Sequence, residues 1–73
     1  MKWTWMIGGL YLSREYAHND YVAIAFEDLG GGWIVRVGND PARHAANLGE
    51  VRLLASAGLG GVDVPGIPAR IGR

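Results

Sequence analysis

The sequence has no cysteine, a single lysine and no long hydrophobic run. Without cysteine, neither a disulfide framework nor a thiolate zinc site can support the fold, and two histidines are too few for a convincing metal cage. We therefore expect no cofactor and no metal ion. A chain of 73 residues forms one domain with a small core, so association into a homo-oligomer is one way in which it could bury more surface.

An excess of charge of one sign is also absent, since seven basic side chains balance seven acidic ones. Without net charge there is no long-range field to gather nucleic acid or an anionic membrane. The apolar stretch at residues 3–12 is too short for a membrane span, which needs roughly 20 residues. Gly8 and Gly9 interrupt it and no small-x-small cleavage site follows, so it does not fit a signal peptide. These features predict a cytoplasmic protein that does not bind a membrane.

The stretch from Tyr21 to Gly38 organises the chain, because two runs rich in β-branched and aromatic residues flank a glycine cluster. This pattern predicts a β-hairpin. A four-residue turn would place Asp28 opposite Trp33 and give the hairpin one core face. That predicted core face contains Val22, Ile24, Phe26, Trp33, Val35 and Val37. The predicted outer side contains Ala23, Ala25, Glu27, Ile34 and Arg36.

Residues 3–12 read as the first strand. Trp3, Trp5 and Ile7 alternate onto one face, but the alternation changes parity at the glycine pair Gly8 and Gly9. A β-bulge at this pair would restore the apolar face. The alternative is that one of the glycines allows another backbone or an aromatic ring to approach closely.

A helix is predicted after the hairpin. Asn39 and Asp40 are good capping residues, and Pro41 suits the first helical position. The helix would run from Pro41 to about Ala57 and end at Gly58 in the left-handed conformation. Its wide apolar surface suggests that it is wedged between the sheet and a second surface, either the tail or another subunit. Alternatively, the helix breaks at residues 47–49 and residues 50–56 form a fourth strand.

These elements together predict an α+β fold. We expect a three-stranded antiparallel β-meander, one α-helix packed on one face, and an extended C-terminal tail rich in glycine and proline. Residues 1–57 would form the single small domain. Residues 58–73 would form the tail, extended or partly disordered.

No pattern in the sequence predicts catalysis. Ser13, His18 and Asp20 share one loop, which lacks the preorganisation that a catalytic triad needs. Asp40 and His44, together with His18, would make a metal site only from distant segments. Neither glycine run opens a helix that could hold a phosphate. We therefore expect a protein that is not an enzyme.

A partner surface is predicted on the loop of residues 13–20, where charged groups and a tyrosine are concentrated. The candidates also include two arginines of the predicted helix, and we expect Arg52 to pair with an acidic group of a partner or of the domain itself. The candidate partner-binding residues are Arg14, Glu15, Tyr16, His18, Asp20, Arg43 and Arg52.

The function predicted first is a small non-enzymatic protein-binding module. Such modules include inhibitors of host protein complexes made by phages and other mobile elements, anti-CRISPR proteins among them, and that association rests on size and type only. The alternative is a nucleic-acid-binding regulator that uses arginines together with sheet aromatics. Its arginines would be Arg36, Arg43, Arg52, Arg70 and Arg73.

Overall fold

In the computed structural model, which describes residues 1–14 and 20–70, five strands form one antiparallel sheet and one helix follows them. The strands are neighbours in chain order, so the sheet is a simple meander. The elements are β1 Lys2–Met6, β2 Gly9–Ser13, β3 Tyr21–Glu27, β4 Trp33–Val37, β5 Arg43–Ala45 and α1 Leu48–Gly58. The predicted α+β class, antiparallel sheet and single helix are confirmed for the described residues. The prediction of three strands is wrong, because these residues form five.

The first predicted strand is in fact two strands. Ile7 and Gly8 form a tight turn in which Gly8 has a φ of 94°, and Met6 then pairs with Gly9. The predicted bulge at the glycine pair is therefore wrong, and the sheet irregularity lies between Leu12 and Ser13 instead. The alternative, that a glycine allows another backbone to approach closely, is confirmed at Gly9, where a Cβ atom would lie only 2.6 Å from the carbonyl oxygen of Ala25.

The hairpin of β3 and β4 forms as predicted, but its register is shifted by one residue. Glu27 pairs with Trp33, because Asp28 belongs to the turn. The Asp28 amide donates to Gly32 O at 3.0 Å, and the Asp28 side chain accepts from the Gly30 amide at 3.3 Å. A shift of one residue turns every side chain of a strand to the other face. The predicted core face is therefore wrong at Ile24 and Phe26, which lie on the opposite face from the buried Ala25, whereas Val22 is buried as predicted.

Small residues line the centre of the core face because larger side chains reach over them from other strands. The Trp5 and Trp33 rings meet with centroids 5.8 Å apart, although β2 and β3 lie between their strands. Alanine at position 25 leaves the space for that contact. The buried core consists of Trp3, Leu10, Leu12, Val22, Ala23, Ala25, Val35, Val37, Ala45, Val51, Ala55 and Val64.

The predicted helix start is wrong. Residues 38–42 form a turn, closed by the Asp40 amide donating to Val37 O at 3.0 Å, and Arg43–Ala45 is a strand that pairs with β4. The alternative of a strand at residues 50–56 is also wrong, because these residues are helical. Asparagine, aspartate and proline suit turns as well as helix starts, and here the unpaired edge of β4 gains a partner strand.

Helix α1 begins at the cap residue Asn47. Its side chain accepts from the Glu50 amide at 3.0 Å, while the Glu50 carboxylate accepts from the Ala46 amide at 2.7 Å. At the other end, the left-handed residue is Gly60, with a φ of 85°, and not Gly58 as predicted. Gly58 is the last helical residue and packs on Val37, where a Cβ atom would meet the valine side chain at 2.8 Å.

The segment of residues 62–70, called the tail below, has no regular secondary structure and lies against α1 and β1. The Trp3 indole donates to Pro65 O at 2.8 Å, and the Trp5 indole donates to Pro68 O at 2.9 Å. Arg52 of the helix donates to Val64 O, and Val64 itself is buried. Among the described residues, no helix has the length and apolar character needed to cross a membrane.

Candidate binding surface

The face of the sheet opposite α1 carries a band of apolar and aromatic side chains. We call it the open face and define it by Met6, Tyr11, Tyr21, Ile24, Phe26, Ile34 and Arg36. Within the described parts of the chain no element covers it. Phe26 remains 42% exposed, Met6 39% and Tyr21 36%.

Strand pairing makes the open face continuous. Tyr11 of β2 pairs with Ile24 of β3, which pairs with Arg36 of β4, and Phe26 pairs with Ile34 in the next row. Each of these residues alternates with one that points into the core, which is the ordinary pattern of a half-buried sheet. The face therefore spans the middle strands.

Two tyrosines and a methionine form one end of this band. The Tyr11 and Tyr21 rings lie 4.6 Å apart between centroids and are tilted by 49°. The Tyr21 hydroxyl points to the Met6 sulfur at 3.6 Å. These contacts hold the rings in place while leaving part of each exposed, so the surface is preorganised for packing or stacking.

The charged side chains of this face are cationic. Lys2 and Arg36 are exposed and alternate with inward residues on β1 and β4, whereas the strand carboxylate Glu27 lies on the core face. At the edge of the sheet, the His44 Nε2 atom lies 2.9 Å from Gly31 O and 3.7 Å from an Asp28 carboxylate oxygen. The open face thus combines an apolar centre with positive charge.

Of the predicted loop residues, the structure describes Arg14 and Asp20. The Arg14 amide donates to Asp20 O at 3.0 Å, which closes the base of the loop. The candidates Glu15, Tyr16 and His18 lie outside the described residues. The rejected triad and metal set both include His18, so neither can be assembled from described residues.

The predicted residues Arg43 and Arg52 are not brought together. Arg43 is exposed on the edge strand β5, beside a cleft of about 240 Å³ that Leu54 and Ala57 of the helix also line. Arg52 instead contacts the tail: its Nη2 atom donates to Val64 O at 2.9 Å, and the Asp63 carboxylate lies 3.7 Å away. The acidic group nearest to Arg52 in the described chain is therefore one of its own.

Sequence reasoning missed the open face because it placed Ile24 and Phe26 in the core. The signal that could have found it is the Asp28–Gly32 stretch, since an aspartate before three glycines favours a turn that includes the aspartate. The described residues contain no group of three side chains that could hold a metal ion. What the open face offers is apolar packing, ring stacking and cationic contacts.

Comparison with known proteins finds no matching family model, no similar curated protein and no similar solved structure. A functional proposal for this chain therefore depends on the chemistry of its own surfaces.

Proposed function

We propose that the protein is a small non-enzymatic protein-binding module whose partner packs on the open face. The observation that carries the proposal is the exposure of Phe26, Met6 and Tyr21 within one continuous band. Contiguous apolar patches on small soluble domains mark interaction sites, whereas single exposed apolar residues do not.

The chemistry of the face defines the partner that would fit it. Aromatic residues, methionine and arginine are enriched at the centres of protein interfaces, and all three types occur here. Arg36 and Lys2 favour a partner whose apolar surface is bordered by carboxylates. The proposed partner is thus a protein or protein complex with an apolar, acid-rimmed patch.

Within this proposal, the protein acts in the cytoplasm and inhibits a host protein complex, in the way that anti-CRISPR proteins and other inhibitors made by phages and mobile elements do. Only the size and type of the protein support this inhibitory role. The experiment below tests the role by identifying the protein that the chain captures.

The test uses the full chain as bait in an extract of the source cell, with two variants that carry the same chemical change. Phe26→Asp places a carboxylate on the open face, and Leu29→Asp places one in the fully exposed β3–β4 turn. Phe26 is 42% exposed, and a phenylalanine has roughly 200 Å² of surface to bury, so a partner that covers it removes about 80 Å² from water. At about 25 cal/mol per Å², this burial contributes about 2 kcal/mol to binding.

Phe26→Asp should therefore weaken capture of a specific partner by roughly 30-fold, while Leu29→Asp should leave it unchanged. Equal capture by the wild-type chain and the Phe26 variant would contradict the proposal. Sedimentation of the purified chain over a concentration series adds a further arm: a dimer that Phe26→Asp dissociates would identify the partner as a second copy.

A second candidate function is binding of single-stranded nucleic acid, favoured by Tyr11, Tyr21 and Phe26 lying on one face with Arg36. Sheet aromatics can stack bases at about 1–3 kcal/mol each, and arginine can contact phosphates. Titration with fluorescent oligonucleotides at about 50 mM salt should then give binding that weakens steeply with added salt and is lost in Arg36→Gln. Failure to bind at that salt concentration would exclude this candidate.

A further inference from the structure

A second candidate site lies on the core face, at the end of the sheet that carries the β1–β2 and β3–β4 turns. Trp5 and Trp33 form two walls of a cavity of about 330 Å³, with Glu27 beside them. Their rings are inclined by 57°. Two tryptophan faces with a carboxylate provide the groups that bind an organic cation in other proteins. We call this the tryptophan pocket.

The chain itself shows which cation the pocket accepts. The Arg70 guanidinium lies over the Trp5 ring, 4.9 Å from its centroid, and 3.5 Å from a Glu27 carboxylate oxygen. Guanidinium is planar and weakly hydrated, so it stacks on an indole and pairs with a carboxylate at the same time, which an ammonium group does less well. The pocket is therefore already in contact with a guanidinium group of the chain itself.

This internal contact is exchangeable. The side chains of Arg70 and Glu27 are 56% and 66% exposed, and pairs this exposed are weak. Arg70 also lies at the outer end of the tail, beyond the Pro68 carbonyl that the Trp5 indole holds and far from the anchor at Val64. Its release would leave the buried part of the tail in place.

We propose that the tryptophan pocket is a binding site for an arginine side chain of a partner, and that Arg70 is a tethered occupant which this arginine displaces. The proposal goes beyond the open face, because it rests on the Trp5 and Trp33 indoles and the Glu27 carboxylate, which lie on the other face of the sheet. The two sites adjoin at Phe26, which belongs to the open face and also borders the cavity. A partner that engages both would wrap around the β3–β4 turn.

The experiment titrates the full chain and its Arg70→Ala variant with N-acetyl-arginine amide, followed by NMR of the indole N–H groups. The signals of Trp5 and Trp33 report on the pocket. The signal of Trp3, whose indole donates to Pro65 O outside the pocket, is the internal reference. N-acetyl-citrulline amide, which has nearly the same shape without the charge, is the matched control ligand.

Removing Arg70 should lower the dissociation constant for the arginine amide by about 5- to 30-fold, because the tethered competitor is gone. The citrulline amide should bind neither protein, and Glu27→Gln in the Arg70→Ala background should abolish the preference for arginine. Equal dissociation constants for the wild-type and variant chains would overturn the proposal. So would equal binding of arginine and citrulline amides, or the absence of any shift at Trp5 and Trp33.

Because the probes are single amino-acid derivatives, their result is independent of any partner of the open face. Arg70 is exposed, so its replacement should leave the spectrum of the folded chain otherwise unchanged. The arginine pocket and the protein-binding function can therefore fail separately.

Discussion

Replacing Arg52 by alanine should destabilise the fold, because this residue holds the tail on the helix. Its Nη2 atom donates to Val64 O at 2.9 Å, and its Nε atom donates to Val64 O at 3.1 Å and to Pro65 O at 3.3 Å. The hydrogen bonds to Val64 O are partly shielded from water, the one to Pro65 O is exposed, and the Val64 side chain is buried. Arg52 was a candidate for partner binding, and these contacts predict a structural role as well.

The size of the expected loss in the free energy of unfolding follows from the positive charge of the Arg52 guanidinium. Hydrogen bonds from charged groups contribute about 1.5–3 kcal/mol each, and partial exposure of the guanidinium favours the lower end, so we expect a loss of about 1.5 kcal/mol in the free energy of unfolding. The Asp63 carboxylate is fully exposed, so its ion pair with Arg52 adds nothing to this value. For a domain of this size the melting temperature should fall by about 6–12 °C.

Thermal unfolding followed by circular dichroism measures this shift, with Arg43→Ala as the control. The Arg43 side chain is exposed on β5 and makes no hydrogen bond or ion pair within the described chain, so its replacement should change the free energy of unfolding by less than about 0.5 kcal/mol. Faster hydrogen exchange at the Trp3 indole, which donates to the tail at Pro65 O, should accompany the Arg52 effect. Equal melting temperatures for both variants would refute the tail-holding role.

Two further predictions concern stability and are read from thermal unfolding. Gly9→Ala should lower the free energy of unfolding by about 1–3 kcal/mol, because its Cβ would lie 2.6 Å from Ala25 O and β2 and β3 would have to separate. The control Gly66→Ala, whose Cβ meets nothing within 4 Å, should be neutral or slightly stabilising. Equal effects of the two substitutions would contradict the close approach of Gly9 to Ala25. Asn47→Ala should cost about 1 kcal/mol by removing the cap that accepts from the Glu50 amide, whereas Asn47→Asp keeps an acceptor and should retain stability; a stable alanine variant would argue against this cap.

The general fold class could be predicted from the sequence because its strongest signals are local. The β-branched and aromatic runs around residues 30–32 predict two antiparallel strands, and these form as β3 and β4. The glycine- and proline-rich composition from Gly58 onward predicts little regular structure; Gly58 is the last residue of α1, and no helix or strand is described in residues 59–70. These inferences required no knowledge of long-range contacts.

Register and strand number could not be predicted because they depend on single turn residues and on tertiary pairing. Moving Asp28 from the strand into the turn reverses the faces of β3 and converts Phe26 from a core residue into a surface residue. Arg43–Ala45 has no strand signal of its own and becomes a strand by pairing with β4. The signal for the true helix start was present, since Asn47 and Glu50 have the spacing of a capping box.

The existence of a recognition surface could be predicted from the sequence, but its position could not. Aromatic content pointed to a recognition surface, but its location depended on the register, so the prediction fell on the 13–20 loop. A binding role for Arg36 and the sheet aromatics was predicted only under the nucleic-acid alternative. The open face became visible once pairing placed Tyr11 beside Ile24.

The most direct test of the protein-binding proposal is a methyl NMR spectrum of the isoleucine-labelled chain with its captured partner. Ile24 and Ile34 lie on the open face, whereas Ile7 is in the β1–β2 turn and Ile67 is in the tail. We predict that the partner shifts or broadens the δ1-methyl signals of Ile24 and Ile34 and leaves those of Ile7 and Ile67 unchanged. Perturbation confined to Ile7 or Ile67 would contradict the assignment of partner binding to the open face.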